Sequence, residues 1–140
     1  MDIAKNIVNF FVSKGLTPEQ ASGIAGNLYI ESGFNTDILG DGGTSYGVAQ
    51  WHKERKDELF NWAKSKGLNV KDLKTQLQFL WKELNSSENN SLNKLRQTDT
   101  PSTAAASFAK NYERPASKDY SERMGAAENI YSAQKGYKFY

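Results

Sequence analysis

Apolar residues recur at three- and four-residue spacing through most of the chain, which predicts a succession of amphipathic helices. The first carries Ile3, Ala4, Ile7, Val8, Phe10 and Phe11 and is stopped by Gly15. Thr17-Pro18-Glu19-Gln20 then has the form of a capping box. Thr17 is the N-cap, Pro18 takes the first helical position, and Gln20 is placed to reach back to the cap amide. The helix it opens presents Ala21, Ile24, Ala25 and Leu28 on one face and runs to Glu31-Ser32, where Gly33 stops it. Leu59, Phe60, Trp62 and Ala63 predict a helix over 53–66, and Val70, Leu73, Leu77, Leu80, Trp81 and Leu84 another over 70–85. A polar loop over 85–90 precedes a short helix around Leu92 and Leu95. Thr100-Pro101 caps a helix whose core side is Ala104, Ala105, Phe108 and Ala109, and a last helix is expected over 118–133. The tail 134–140 has no decisive pattern.

One segment breaks the helical period. Residues 33–47 hold five of the eleven glycines, and Gly40-Asp41-Gly42-Gly43 is the strongest turn signal in the chain. A small β-hairpin lobe is expected there. The prediction is therefore mainly α (α+β): a single domain over 1–140, a helical bundle with a small β-hairpin lobe.

Composition narrows the chemistry. There is no cysteine, which removes disulfides, thiolate nucleophiles and Cys-ligated zinc. Eighteen basic against sixteen acidic residues leave a net charge of +2, too little for the basic patch that nucleic acid binding demands. No run approaches the ~20 apolar residues of a membrane span. Lys5 and Asn9 interrupt the N-terminal pattern, so it does not read as a signal peptide. His52 is the only histidine, no serine lies in a nucleophile-elbow pattern, and Asp37 and Asp41 do not make a calcium loop. No metal or cofactor is expected. What remains is carboxylate chemistry.

Glu31 ends a helix, beside Leu28, Tyr29, Ile30 and Phe34 and just before the glycine-rich stretch. Apolar surroundings disfavour a charged carboxyl and raise its pKa, as general acid catalysis on a glycosidic oxygen requires. The competing reading is a solvated helix-end acid. Asp41, between glycines, is the candidate second carboxyl, in a polar setting; otherwise it is a turn residue. In Gly47-Val48-Ala49-Gln50-Trp51, Gln50 suits an N-acetyl or hydroxyl group and Trp51 a sugar face, unless Val48 and Trp51 are core.

Residues 15–62, with ESGF followed by SYGVAQ, resemble the phage tail lysozyme family of the lysozyme-like superfamily, and FAKNYERPA (108–116) is similar to a segment that the family carries before its last helix. The resemblance implies a lysozyme-like fold with the lobe beside an active-site cleft, Glu31 as general acid and Asp41 as second acid. It places Thr44, Ser45 and Tyr46 where relatives line the cleft or position a water. Gln50 and Trp51 match the cleft floor, and Tyr112 and Glu113 a segment facing the cleft. A structural role for that segment, with Arg114 paired to an acid and Pro115 ending a helix, is equally open. The implied activity is that of a muramidase on bacterial peptidoglycan; a lytic transglycosylase, a chitinase-like enzyme or a non-catalytic virion domain are the rivals. The implied setting is a phage tail, alone or within a larger tail protein with other tail proteins as partners. Delivery to the wall would then depend on the particle, on a holin or on lysis.

Overall fold

Helix α1 (Ile3–Ser13) turns Ile7, Val8 and Phe11 inward, following the period read from sequence. The structure, a computed structural model, describes residues 3–138, and side chains as far as residue 134. Helix α2 (Pro18–Ser32) starts and stops where local chemistry dictates. Thr17 Oγ1 accepts from the Gln20 N–H and Gln20 Oε1 accepts from the Thr17 N–H, both at 3.1 Å. Gly33 closes the helix in the left-handed conformation at φ 62°, its N–H bonded to the Tyr29 carbonyl.

Helix α2 is more than amphipathic. Every residue from Gln20 to Leu28 is buried, because helices pack around it on several sides. These are α1, α6 (Pro101–Phe108) and α7 (Ser121–Lys138). Two glycines allow the close approach. A Cβ at Gly23 would lie 2.5 Å from the Ala104 Cβ, and one at Gly26 would lie 2.7 Å from the Ala127 nitrogen and 2.9 Å from the Arg123 carbonyl oxygen. Gly26 thus faces backbone that cannot step aside. Gly26→Ala gains ~1 kcal/mol of helix propensity but forces α7 outward, and overpacking costs up to about 3 kcal/mol. We expect a lower urea midpoint, with a net loss of about 1–2 kcal/mol.

Between α2 and α3 (Glu54–Ser65) lies the expected lobe, with one strand more than a hairpin. Strands β1 (Leu39–Gly40), β2 (Ser45–Tyr46) and β3 (Trp51–His52) pair antiparallel in that order, in the register Gly40↔Ser45 and Ser45↔His52. The third strand forms because a tight turn at Gly47–Gln50 returns the chain, with the Gln50 N–H on the Gly47 carbonyl at 3.0 Å. Asp41–Gly43 makes one 3₁₀ turn in which Asp41, Gly42 and Gly43 all have positive φ. The lobe is fastened to the bundle by Gln76 of α4 (Leu73–Leu84). Its amide donates to the Thr36 and Val70 carbonyls and accepts from the Val48 N–H.

Helix ends elsewhere differ from the periodicity by a few residues, each for a local reason. Helix α4 begins at Leu73 and not at residue 70, since the Val70 carbonyl is taken by Gln76 and Asn69 Oδ1 caps the Lys71 N–H. Helix α5 (Asn89–Leu95) starts inside the expected polar loop. Helix α6 is capped by Thr100, and it continues as a π-helical turn over Ala109–Glu113. Helix α7 begins at Ser121, whose N–H and hydroxyl both bond Asp119 Oδ1, and it runs through the undecided tail to Lys138. Phe139 and Tyr140 lie outside the described residues. The fold is mainly α, a helical bundle with a small antiparallel sheet. No described helix is long and apolar enough to cross a membrane.

Candidate active site

A cleft of about 880 Å³ runs between the lobe and the bundle, with Glu31 of α2, Asp41 of the lobe, and Glu113 and Arg123 of the last segments on its walls. Glu31 sits in the last turn of α2 with its side chain 17 % exposed, and Arg123 of α7 holds its Oε2 through Nη2 at 2.8 Å. Two effects oppose each other here. Burial disfavours the carboxylate and raises the pKa, while the Arg123 charge and hydrogen bond lower it; burial wins, with a small further push from the Asp41 charge. Among its sequence neighbours, Leu28 is buried in the core, whereas Tyr29 is exposed and packs on Phe34. Arg123 is itself fixed, since its Nη1 donates to Asn27 Oδ1 at 2.9 Å.

Asp41 stands in a contrasting setting, its side chain 70 % exposed on the glycine-flanked turn. Ser45 Oγ donates to Asp41 Oδ2 at 2.6 Å and lies 2.9 Å from His52 Nδ1. The serine has one proton and the carboxyl is the acceptor, so His52 Nδ1 carries the hydrogen that meets Ser45 Oγ. The hydroxyl of Ser45 is thereby engaged on both sides and orients Asp41. Thr44, exposed on the cleft, donates its hydroxyl to the Asp41 carbonyl at 2.9 Å and lies 3.4 Å from His52 Nδ1.

Not every residue expected at the cleft is there. Gln50 lines it, yet its amide nitrogen braces the lobe through the Ile38 and Gly47 carbonyls, and its Oε1 occupies the space where a Gly40 side chain would stand. Tyr46, Trp51 and Tyr112 do not line it at all. Tyr46 is buried against Phe60 with its hydroxyl donating to Asp37 Oδ1, and that burial and bond push its pKa upward. Trp51 is 1 % exposed and Tyr112 fully covered, so neither offers a face to a sugar.

Both belong to a buried polar cluster centred on Glu83 of α4. The Trp51 indole N–H reaches Glu83 Oε1 at 2.9 Å and the Tyr112 oxygen at 2.8 Å, and the Tyr112 hydroxyl donates to Glu83 Oε1. Arg55 of α3 meets both Glu83 oxygens at 3.1 Å, lies over the Tyr112 ring, and donates Nη1 to the Tyr112 carbonyl. The neighbouring Arg114 pairs with Glu88 at 2.9 Å, the structural role that sequence left open for it. Glu113, next in the chain to Tyr112, does reach the cleft, and its Oε2 is sealed from solvent without a hydrogen-bond partner. Burial first, and then the Glu31 charge, push its pKa well above the usual carboxylate range against the pull of Arg55 and Arg123.

Arg123, Arg55, Glu83 and His52 were not among the residues expected here. Arg123 and Arg55 look like ordinary surface cations on helices, and only the packing shows them paired inward. Among the described residues, no three His, Cys, Asp or Glu side chains are grouped to hold a metal ion.

Residues 2–133 match the family profile described as phage tail lysozyme. Morphogenesis protein 1 of Bacillus phage B103 is 32 % identical over 145 aligned residues, an alignment that takes in 95 % of this chain and 39 % of that protein. The chain therefore spans about two fifths of the curated relative's length. With the profile covering nearly all of the chain, from the first helix into the last, the chain belongs to the phage tail lysozyme family.

Proposed function

We propose that this domain is a muramidase, cleaving the β-1,4 bond between N-acetylmuramic acid and N-acetylglucosamine in bacterial peptidoglycan. The observation that carries the reading is the pair of unlike carboxyls on one cleft: Glu31 desolvated with a raised pKa, and Asp41 solvated and oriented by Ser45. Glu31 donates its proton to the glycosidic oxygen as the C–O bond breaks, and Asp41 answers the positive charge at the anomeric carbon. A water, deprotonated by Asp41 or held by the exposed Thr44, supplies the hydroxyl that completes hydrolysis. Arg123 keeps Glu31 aimed at the cleft.

The family, together with a relative named for morphogenesis, supports a place in the phage virion, where the domain would open the wall during infection. Other tail proteins are then its partners and peptidoglycan its substrate.

Mass spectrometry of fragments released from purified peptidoglycan tests the activity. Reducing-end muropeptides are the expected product. Anhydro-muropeptides would instead make the domain a lytic transglycosylase, and no fragments at all would leave a glycan-binding or structural role. Release from chitin oligomers without peptide side chains would widen the substrate class. Asp41→Asn is expected to slow release by about a hundredfold while the unfolding midpoint holds, since its side chain is largely exposed. An unchanged rate would hand its role to the water on Thr44.

A further inference from the structure

We propose that Glu113 binds the glycan as a hydrogen-bond donor, its carboxyl O–H meeting the carbonyl oxygen of a sugar N-acetyl group laid in the cleft. The proposal rests on the glycan reading of the cleft given above.

The geometry starts with the backbone. Glu113 closes the π-helical turn Ala109–Glu113, and Arg114 beyond it takes a left-handed φ of 52° with its N–H on the Ala109 carbonyl. Wide turns of this kind are uncommon inside helices and gather at functional sites. Here the turn brings the Glu113 side chain to the cleft while the preceding Tyr112 stays in the core.

Around Glu113 the buried polar groups satisfy one another: Arg123 with Asn27 and Glu31, Arg55 with Glu83 and the Tyr112 carbonyl, Tyr112 with Glu83. Glu113 Oε2 has no such partner. An unpaired carboxyl oxygen is penalised until something meets it, and rotation of the Glu113 side chain at the cleft wall would offer it to a ligand.

Charge decides which form of the carboxyl is available. The groups facing Glu113 are Glu31 from α2, Arg55 from α3, Glu83 from α4 and Arg123 from α7. Three carboxyls therefore share two guanidiniums, and each guanidinium already holds another acid. Arg114 is turned to Glu88. With acids in excess of guanidiniums and burial set against its charge, Glu113 keeps a proton, in agreement with the raised pKa. A protonated carboxyl can donate, and the N-acetyl carbonyl is a pure acceptor. Once ionised, Glu113 has nothing to offer that carbonyl, so binding should weaken as pH rises through the raised pKa.

Isothermal titration with the N-acetylglucosamine trisaccharide, with cellotriose as the analogue lacking N-acetyl groups, reads this directly. Glu113→Ala is expected to bind the N-acetylated sugar about tenfold more weakly and to lose its preference over cellotriose. Glu113→Gln, which keeps an N–H donor and no charge, is expected within about threefold of wild type near pH 5. As pH rises through the raised pKa of Glu113, wild-type affinity should fall while that of Glu113→Gln holds, which separates Glu113 from Glu31. Thermal unfolding gives a second reading. A carboxyl with a raised folded pKa loses its stabilising proton as pH rises, so Glu113→Gln should gain on wild type towards alkaline pH.

Equal affinity of Glu113→Ala and wild type, or loss of affinity in Glu113→Gln equal to that in Glu113→Ala, overturns the proposal. So does wild-type protein that releases muropeptides without preferring the N-acetylated trisaccharide, and in that case the muramidase reading stands. Protein that neither binds the sugar nor releases fragments overturns both.

Discussion

Replacing Glu31 by glutamine is expected to reduce muropeptide release by about a thousandfold with the fold intact. The amide cannot donate a proton to the leaving oxygen, and general acid catalysis alone accounts for roughly 10²–10⁴ in rate. Stability should change little, because the burial that penalises the charge on this carboxyl outweighs the attraction of Arg123 that ionisation gains. The glutamine oxygen can still accept from Arg123, which also keeps its bond to Asn27. The sign of the pH dependence follows. A raised pKa keeps the wild-type acid competent at higher pH than a free glutamate, and activity should fall once pH passes that value. Rate measurements on solubilised peptidoglycan, paired with thermal unfolding of both proteins, check this. A variant retaining more than about a tenth of the rate would remove Glu31 from the chemistry.

What could be read from the chain was what depends on near neighbours. Both ends of α2 were legible because a capping box and a left-handed glycine are settled within a few residues, at Thr17, Gln20 and Gly33. The same holds for Asp41 on its turn, where glycines on both sides mark an accessible, unusual backbone. The third strand was not legible, since a two-residue strand has no period to detect and depends on pairing with Ser45–Tyr46. Neither was the direction in which the aromatics face. A tryptophan after a glycine-rich lobe has the same local pattern whether it stacks on a sugar or fills the core, and the decision for Trp51 was made by Glu83, on a helix elsewhere in the fold. Glu31 was legible as an acid near apolar residues, but its balance of burial against Arg123 came from α7.

The largest loss of stability should come from that same Glu83. Its carboxyl accepts from Trp51, Tyr112 and Arg55 together and is 4 % exposed in its side chain, while Arg55 is 20 % exposed. Glu83→Ala strands a buried guanidinium and a phenol hydroxyl at once and leaves the Trp51 indole N–H only the Tyr112 oxygen. Breaking one partner of a buried ion pair costs about 3–5 kcal/mol, against a total near 5–15 kcal/mol for a domain. Urea unfolding should therefore show a variant close to unfolding at 37 °C, and fragment release should fall with it, because Arg55 also holds the Tyr112 carbonyl beside Glu113. The penalty belongs to the orphaned partners more than to the pair. Replacing Glu83 and Arg55 together by methionine should recover part of the stability. If the double variant is no more stable than Glu83→Ala, the cluster acts through its other bonds, to Trp51 and Tyr112. If Glu83→Ala loses less than about 1 kcal/mol, the cluster does not hold the lobe-side strand to the bundle as the hydrogen bonds imply. Recovered stability without recovered activity would assign Arg55 to the cleft wall, where its hold on the turn before Glu113 matters for the glycan and not for the core.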